Sequence, residues 1–340
     1  MFKLIISLFL IIILYFSLQN SYYHGPKSNH FDGKKFFDPQ TQYPNNFLDF
    51  LKWQFTRNKT AWPKKIDLQR QDIPPQRVLN NKIRISNIGH FSFLIQVDGI
   101  NILTDPIWSK RASPLSFLGP KRVIDPGIKF NNLPKIDIVL ISHNHYDHLD
   151  LATIEKLWNK HKPLIITPLG NDAIIKKHNN KIIVKAYDWG ETVNISKKLN
   201  ITLEPTQHWS ARGLFDTNHA LWSAYVIQSK SCGNIYFSGD TGYSPYFLKT
   251  KQKYKKINFA ILPIGAYKPR WFMKYAHMSP KDAIKAYMDL GQPLTFPAHY
   301  DVFPLADEKY GEAITTLNKQ LKKLPNHKFK ALSIGEFGEF

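Results

Sequence analysis

The stretch IDIVLISHNHYDHLD, residues 136–150, decides the fold. Its first six residues, Ile136 to Ile141, predict a strand that is buried on both faces. The nine residues that follow contain three histidines and two aspartates. Imidazole nitrogens and carboxylate oxygens, without cysteine, suit zinc or another borderline divalent metal. The stretch therefore predicts a metal site where a buried strand ends.

The spacing of these residues indicates two metal positions. In an extended chain His143 and His145 project to the same side, so their imidazoles can share one ion. If the backbone turns at Tyr146, then Asp147 and His148 are directed toward a second position. One loop cannot complete two sites, so further ligands are expected at the ends of other strands.

Three later segments place metal-binding residue types directly after an apolar β run. His208 follows ITLEPT, Asp240 follows NIYFS, and His299 follows PLTFPA. Loops at strand ends present side chains to clefts, and the glycines on both sides of Asp240 allow the backbone to approach an ion closely. A carboxylate at Asp240 can bridge two ions. Each segment alone is compatible with an ordinary loop, but together with the first motif they predict a dinuclear site.

Short apolar and β-branched runs bounded by Gly, Asn, Asp and Pro predict strands along most of the chain after residue 80. Helical patterns fall between some of them, so a sheet-on-sheet core with helices outside fits better than strict alternation. The predicted strands are IRISNI, SFLIQV, INILT, IDIVLIS, PLIIT, KIIVKAY, ITLEPT, LWSAYVIQ, NIYFS, NFAILPI, PLTFPA and KALSI, and the predicted helices are residues 47–56, 151–160, 171–178, 279–290 and 308–323.

The N-terminus predicts a membrane-targeting segment. Lys3 is followed by LIISLFLIIILYFSL, which has no charge and matches the length of a signal-peptide core better than a spanning helix. The poor cleavage motif favours an uncleaved signal-anchor over a cleaved signal peptide. We therefore expect residues 1–20 to be a hydrophobic leader, 21–80 a linker and N-terminal wrap, and 81–340 the catalytic domain. This organisation predicts a membrane-associated or exported (periplasmic or extracytoplasmic) protein.

The charge balance is compatible with an anionic partner and equally with an ordinary solvated basic surface. The 340 residues carry 46 Lys and Arg against 26 Asp and Glu, a net charge of +20. Nucleic acid and acidic phospholipid both fit this charge. A leader would carry the chain away from nucleic acid, so a membrane surface and a phospholipid substrate are expected. The lone Cys232 excludes an intramolecular disulfide, and the oligomeric state, a homodimer included, stays open.

The motif His143-x-His145-x-Asp147-His148, followed by His208, Asp240 and His299, resembles the metallo-β-lactamase-fold superfamily. The resemblance implies an α+β fold, a four-layer αββα sandwich, here with an N-terminal extension. It also implies two zinc ions per chain. One would be held by His143, His145 and His208, the other by Asp147, His148 and His299, with Asp240 bridging.

Other segments narrow the resemblance to the family of N-acyl-phosphatidylethanolamine-hydrolysing phospholipase D and its bacterial relatives. These segments are Ile88–Ser92, Ile102–Val123, Gln207–Asp216, GDTGYSP and Pro263–Pro280. The resemblance implies zinc-dependent hydrolysis of a phosphodiester, giving phosphatidic acid and an N-acylethanolamine. Two zinc ions would lower the pKa of water from about 15.7 to about 7 and so supply a hydroxide.

The same resemblance suggests roles for individual side chains. Those expected to be catalytic are Asp147, Asp240 and His277; those expected to contact substrate are Tyr146, His277, Arg270 and Trp271; and His90 and Asp105 are expected to support the site.

One segment departs from the family, because His299-Tyr300-Asp301-Val302-Phe303 replaces the usual His-Trp-Gly-Thr-Phe. Another hydrolase of the superfamily, acting on a lactone or a different phosphodiester, is therefore the alternative. A non-catalytic metal-binding protein is less favoured, because no ligand of the motif is missing.

Overall fold

The computed structural model describes residues 22–41, 44–79, 81–213 and 215–340. Within these ranges the strands form two mixed sheets. In spatial order the first sheet contains β13 (Phe337–Glu339), β1 (Ile83–Gly89), β2 (Ser92–Val97), β3 (Ile100–Thr104), β4 (Ile138–Leu140), β5 (Leu164–Pro168) and β6 (Val184–Tyr187). The second contains β12 (Leu294–Ala298), β11 (Phe259–Pro263), β10 (Gly233–Phe237), β9 (Ala224–Ser229), β8 (Leu199–Glu204) and β7 (Thr192–Ser196).

The helices lie outside the sheets. They are α1 (Phe47–Thr56), α2 (Leu151–His161), α3 (Asn171–His178), α4 (Tyr246–Tyr254), α5 (Arg270–Met273), α6 (Pro280–Asp289) and α7 (Glu312–Leu321), with a 3₁₀ turn at Phe130–Asn132. Polar caps set where some of them begin. Asp150 accepts a hydrogen bond from the Thr153 backbone at the start of α2, and Ser279 and Asp282 form a capping box at the start of α6.

The apolar side chains of the strands are divided between the two faces of each sheet. Side chains such as Ile95 and Ile138 of the first sheet pack against Ile227 and Ile261 of the second, which forms the central core. The opposite faces are covered by α2 and α3 on one side and by α6 and α7 on the other. Side chains alternate along a strand, so strands that are apolar throughout bury both faces and need a helix layer on each side. The predicted four-layer αββα sandwich is confirmed.

The predicted strands differ from the observed ones near the C-terminus. KALSI, residues 330–334, is not a strand, although Leu332 is buried in the central core. The closing strand is β13, which pairs antiparallel with β1 and places Glu339 opposite Arg84. Its sequence FGE has the low strand propensity of Gly and Glu, so the chain pattern did not predict it.

The segment before β1 is tied to the sandwich at several points. Arg84 and Asp72 form a buried ion pair through two hydrogen bonds of 2.6 and 2.9 Å. Trp53 and Arg57 of the α1 region both donate to Asp307. These contacts agree with the predicted N-terminal wrap, and the domain boundary at residue 80 stays a prediction.

The directions of the strands determine which edge of the sandwich carries the loops with the predicted ligands. Strands β3 to β6 run parallel to one another, and β8, β10, β11 and β12 share one direction in the second sheet. The loops at their carboxyl ends contain all the residues predicted as metal ligands. No helix in the described ranges is long and apolar enough to cross a membrane, and the predicted leader lies outside those ranges.

Candidate metal centre

The motif loop begins where β4 ends at Leu140. The chain continues without helix or strand through His143, and the segment 146–148 then forms a turn in which the amides of His148 and Leu149 donate to the His145 carbonyl at 3.0 and 2.9 Å. The turn lies where the spacing of the ligands predicts it. The turn redirects the chain between the first two histidines and Asp147, while the rings of His143 and His148 stay 4.1 Å apart.

One group of side chains consists of His143, His145, His208 and Asp240, with one ligand atom from each within 4.8 Å of the others. The Nδ1 atom of His145 lies 2.8 Å from His143 Nε2 and 3.3 Å from His208 Nε2. The Asp240 carboxylate lies 3.8 Å from His208 Nε2. The first predicted ligand set and the predicted bridging residue are therefore brought together.

A second group consists of His90, Asp147, His148 and His299. Asp147 Oδ2 lies 2.8 Å from His90 Nε2 and 3.2 Å from the Nε2 atoms of both His148 and His299. Asp240 Oδ2 is also 3.2 Å from His148 and His299, so it lies between the two groups. His90 was expected only to support the site, yet here its ring nitrogen is as close to Asp147 as those of the predicted ligands.

The hydrogen bonds made by the Nδ1 atoms of the histidine rings indicate whether the two groups fit a metal ion. Asp105 Oδ2 accepts from His148 Nδ1 at 2.7 Å, and the Ala276 carbonyl accepts from His208 Nδ1 at 3.0 Å. In the neutral form of each ring, with those protons on Nδ1, Nε2 carries a lone pair that faces buried carboxylates. Among the described residues, His145 Nε2, His148 Nε2 and Asp240 Oδ1 have no hydrogen-bond partner. Buried lone pairs and carboxylates that converge in this way need a cation, so the donor set fits a divalent metal.

The pKa shifts of His299 and Asp240 in the two groups also indicate that negative charge is concentrated at the centre. Burial alone would lower the pKa of His299, but Asp240 and Asp147 raise it to about 9. Burial would raise the pKa of Asp240, yet the rings of His299 and His148 hold it well below its usual range. These shifts favour positive charge next to the carboxylates, which a divalent metal ion would supply.

His277 lies at the rim of the two groups. Its Nδ1 is 3.7 Å from Asp240 Oδ2 and has no hydrogen-bond partner among the described residues, and burial lowers its pKa to about 4. Arg270 donates to the His277 carbonyl at 2.9 Å and to Asp282 at 2.9 Å. The Arg270 guanidinium therefore holds the backbone that carries His277.

Arg212 is a functional residue that the sequence analysis did not assign. Its guanidinium donates to the carbonyls of Asn144 and Leu149 at 2.7 and 2.8 Å, one on each side of the turn, and lies 3.9 Å over the Tyr146 ring. The Tyr146 hydroxyl in turn donates to the Arg212 carbonyl at 3.0 Å. The only signal in the sequence was that Arg212 lies in the segment Gln207–Asp216 that resembles the family.

Two predicted features remain, Trp271 and the loop after His299. Trp271 is 43% exposed and lines a cavity of about 410 Å³ together with Trp53 and Lys268. In the loop that departs from the family, Asp301 accepts a hydrogen bond from the Gly311 backbone at 2.7 Å, while Tyr300 packs against the cluster beneath α6 and α7. The side chains of Tyr300 and Asp301 are therefore bound to the helix layer.

Comparison with known proteins agrees with this geometry. A family model described as the beta-lactamase superfamily domain matches residues 100–300. The N-acyl-phosphatidylethanolamine-hydrolyzing phospholipase D 1 of Caenorhabditis elegans is 33% identical over 265 residues, which cover 74% of this chain and 74% of that protein. The chain belongs to the metallo-β-lactamase superfamily.

Two further comparisons agree with this assignment. A mitochondrial N-acyl-phosphatidylethanolamine-hydrolyzing phospholipase D of Saccharomyces cerevisiae is 34% identical over 220 residues, or 63% of this chain and 47% of that protein. The solved structure of Igni18, a metallo hydrolase from Ignicoccus hospitalis, matches with a TM-score of 0.57 at 21% identity, covering 76% of this chain and 98% of that one. The fold and the family resemblance are confirmed, and the chain is a metal-dependent hydrolase; the roles of single residues stay predictions.

Proposed function

We propose that the chain is a dinuclear zinc phosphodiesterase that hydrolyses N-acyl-phosphatidylethanolamine-type phospholipids to phosphatidic acid and an N-acylethanolamine. The observation that carries the proposal is the pair of adjoining histidine and aspartate groups that share Asp240 Oδ2. The relatives named above support the lipid substrate.

The proposed ligands follow from the two groups. His143, His145 and His208 would hold one zinc ion, Asp147, His148 and His299 the other, and Asp240 both. Imidazole and carboxylate donors suit zinc, and the hydrogen bond from His148 to Asp105 orients that ring. When bound, the ions would lower the pKa of a water molecule toward neutrality and neutralise charge on the phosphoryl oxygens.

The protein side chains would handle the protons of the reaction. Hydrolysis forms a bond from water oxygen to phosphorus and breaks the bond from phosphorus to the ethanolamine oxygen. The carboxylates of Asp147 and Asp240 would accept the proton that water loses. His277 faces the same centre from the rim and would contact the phosphate or protonate the departing oxygen.

We propose Tyr146, Arg270 and Trp271 as substrate contacts. Trp271 lines the cavity of about 410 Å³, which also has Arg57 and Lys268 in its wall. Arg57 is paired with Asp307 and Lys268 with Glu312, so the cavity offers apolar ring surface beside partly neutralised cations. We propose a membrane surface as the partner, with residues 1–20 as a signal-anchor or signal peptide.

The experiment that tests the function is a hydrolysis panel on the metal-loaded protein. The substrates are N-acyl-phosphatidylethanolamine, phosphatidylcholine, a bis-aryl phosphodiester and a lactone, with products identified by mass spectrometry. We expect an N-acylethanolamine and phosphatidic acid from the first substrate. Turnover of the lactone alone would contradict the proposal and favour the other hydrolase.

Metal analysis tests the dinuclear zinc site separately. We expect about two zinc ions per chain after dialysis against zinc and then buffer, and loss of hydrolysis after treatment with a chelator. A content of one ion or none would contradict the dinuclear site. Restoration of activity by iron and not by zinc would contradict the choice of metal.

A further inference from the structure

Residues 110–122 form a narrow loop with a tied base, which we call the finger. The Arg122 amide donates to the Lys110 carbonyl at 2.9 Å, and the Ala112 amide donates to the Pro120 carbonyl at 3.1 Å. The side chain of Arg111 also reaches the Gly119 carbonyl at 2.6 Å. These cross-links hold the two sides of the finger together, so its tip has a defined position.

The tip of the finger is apolar and faces solvent. Leu115, Phe117 and Leu118 are 42%, 73% and 61% exposed. Exposed apolar groups of this size at neighbouring positions are characteristic of surfaces that bind a partner or a membrane. Because the base is tied, the tip cannot readily fold back to bury them.

The base of the finger is basic. Lys110 and Lys121 are exposed, and Arg111 is half-buried. None of the ion pairs formed by the described residues includes any of these three cations. Uncompensated cations behind an apolar tip complement an anionic lipid surface, in which headgroups lie above the acyl chains.

A second apolar surface lies on the outer face of α1. Leu48 and Phe55 are 72% and 87% exposed, and Lys52 lies between them at helical spacing. On the inner face of α1, Trp53 packs in a cluster that contacts Leu305. Leu305 also contacts the cluster that includes Ala112 of the finger. The finger and α1 therefore adjoin the same loop, which follows the candidate ligand His299.

We propose that the finger and the outer face of α1 dock on an anionic phospholipid bilayer, with the apolar side chains in the interface and the lysines at the headgroups. Docking in this orientation presents the edge of the sandwich that carries the metal centre to the lipid. The role of this docking rests on the proposed function, but insertion of the finger into a membrane can be measured without lipid hydrolysis.

An environment-sensitive fluorophore tests insertion in the full chain. The label is placed at Phe117→Cys in a Cys232→Ser background, and the matched control carries it at Lys197→Cys. Lys197 lies in the turn before β8, at the edge opposite the metal centre. Vesicles of equal parts phosphatidylcholine and phosphatidylglycerol are expected to raise the emission of the Phe117 label at least about two-fold and to leave the Lys197 label unchanged. Unchanged emission of the Phe117 label would overturn the proposal. Emission that rises with protein concentration in the absence of vesicles would also overturn it, because the surface would then bind a second copy of this chain.

A kinetic comparison separates docking from chemistry. The double variant Phe117→Ser, Leu118→Ser is expected to lower the rate on vesicle substrate about ten-fold and to leave the soluble bis-aryl phosphodiester unaffected. The control Ile183→Ser removes an exposed apolar side chain at the start of β6, at the opposite edge, and should change neither rate. Equal rates of double variant and wild type on vesicles would overturn the docking and leave the proposed function intact. Insertion of the label without any lipid hydrolysis would support the docking and contradict the function.

Discussion

At the scale of single residues, Asp240 has the most contacts within the centre. Its Oδ2 lies within 3.8 Å of ring nitrogens of His148, His208, His277 and His299. Replacing the carboxylate with an amide removes a negative charge that both metal positions share. We expect Asp240→Asn to lower kcat about 100- to 1,000-fold and to reduce the bound metal, measured by phosphodiester hydrolysis and elemental analysis.

The matched control for Asp240 is Asp98→Asn. Asp98 accepts hydrogen bonds from the hydroxyls of Ser229 and Ser231, away from the centre. It should keep activity and metal content at wild-type values. If Asp240→Asn also kept them, Asp240 would not be a shared ligand.

Arg212 acts on the centre through backbone carbonyls. Its bonds to Asn144 and Leu149 hold both ends of the turn that presents Asp147 and His148. We expect Arg212→Ala to weaken metal affinity by about 10- to 100-fold, measured by competition with a fluorescent zinc chelator, and Arg212→Lys to restore part of it. The exposed Arg70→Ala variant is the control. Wild-type affinity in Arg212→Ala would show that the turn holds without the guanidinium.

The difference between these two residues shows what the sequence can predict about the site. Asp240 is recognisable because a carboxylate between glycines follows an apolar strand, and the ligand spacing H-x-H-x-D-H has a chemical reason. Arg212 is not, because its partners are carbonyls 63 and 68 residues away. Every residue has a backbone oxygen, so the type of the accepting residue does not reveal such a hydrogen bond in the sequence.

At the scale of elements, α2 ends at a buried histidine away from the metal centre. His161 is 3% exposed, and burial together with Lys160 and Lys135 lowers its pKa to about 4. The pKa in the folded chain lies below the usual 6.5, so the unfolded chain binds the proton first as pH falls. His161 therefore adds stability above pH 6.5 that is lost progressively between pH 6.5 and 4.

The variant His161→Gln tests this dependence. Relative to the variant, the wild type should lose about 1–2 kcal/mol of unfolding free energy between pH 7.5 and pH 4.5, measured by urea unfolding of the metal-free protein. The exposed His24→Gln variant serves as the control. Parallel pH profiles for the wild type and His161→Gln would contradict the shifted pKa.

The elements that the sequence predicted correctly have strong local patterns, and those it missed do not. The predicted helices at residues 47–56 and 171–178 have the observed bounds, because apolar spacing and end residues agree. Helix α4, with the sequence YFLKTKQKY, has its apolar residues gathered at its start instead of at helical spacing and was not predicted. Strand β7 was also missed: it is an edge strand with exposed Thr and Ser positions, which pairs only with β8.

At the scale of the whole molecule, Arg84 connects three parts of the chain. It pairs with Asp72 of the N-terminal wrap, lies in β1, and has its guanidinium 3.7 Å from the Phe337 ring of β13. Asp72 and Arg84 are 3% and 2% exposed. Removing Asp72 leaves the buried guanidinium with only the half-exposed Glu339 carboxylate, 3.5 Å away, so Asp72→Ala should lower the unfolding free energy by about 3 kcal/mol.

Urea unfolding measures this effect, with the exposed Asp67→Ala variant as the control. A loss in Asp72→Ala no larger than in the control would mean that water reaches Arg84. The layered architecture itself was predictable, because runs of apolar strands with helices between them need a core on each face. The return of the last strand to the first sheet was not, since only three residues form it and two of them, Gly338 and Glu339, have low strand propensity.

Both groups of ring nitrogens and carboxylates take members from both sheets. The loop after β4 in the first sheet supplies His143, His145, Asp147 and His148, and the loops after β8, β10 and β12 in the second supply His208, Asp240 and His299. A chain divided in the link between β6 and β7 would thus give two fragments, neither of which holds a complete set of donors. The amount of metal bound by a mixture of the two fragments would therefore measure how many molecules have reassembled. Metal binding could thus be used to follow complementation between the two halves.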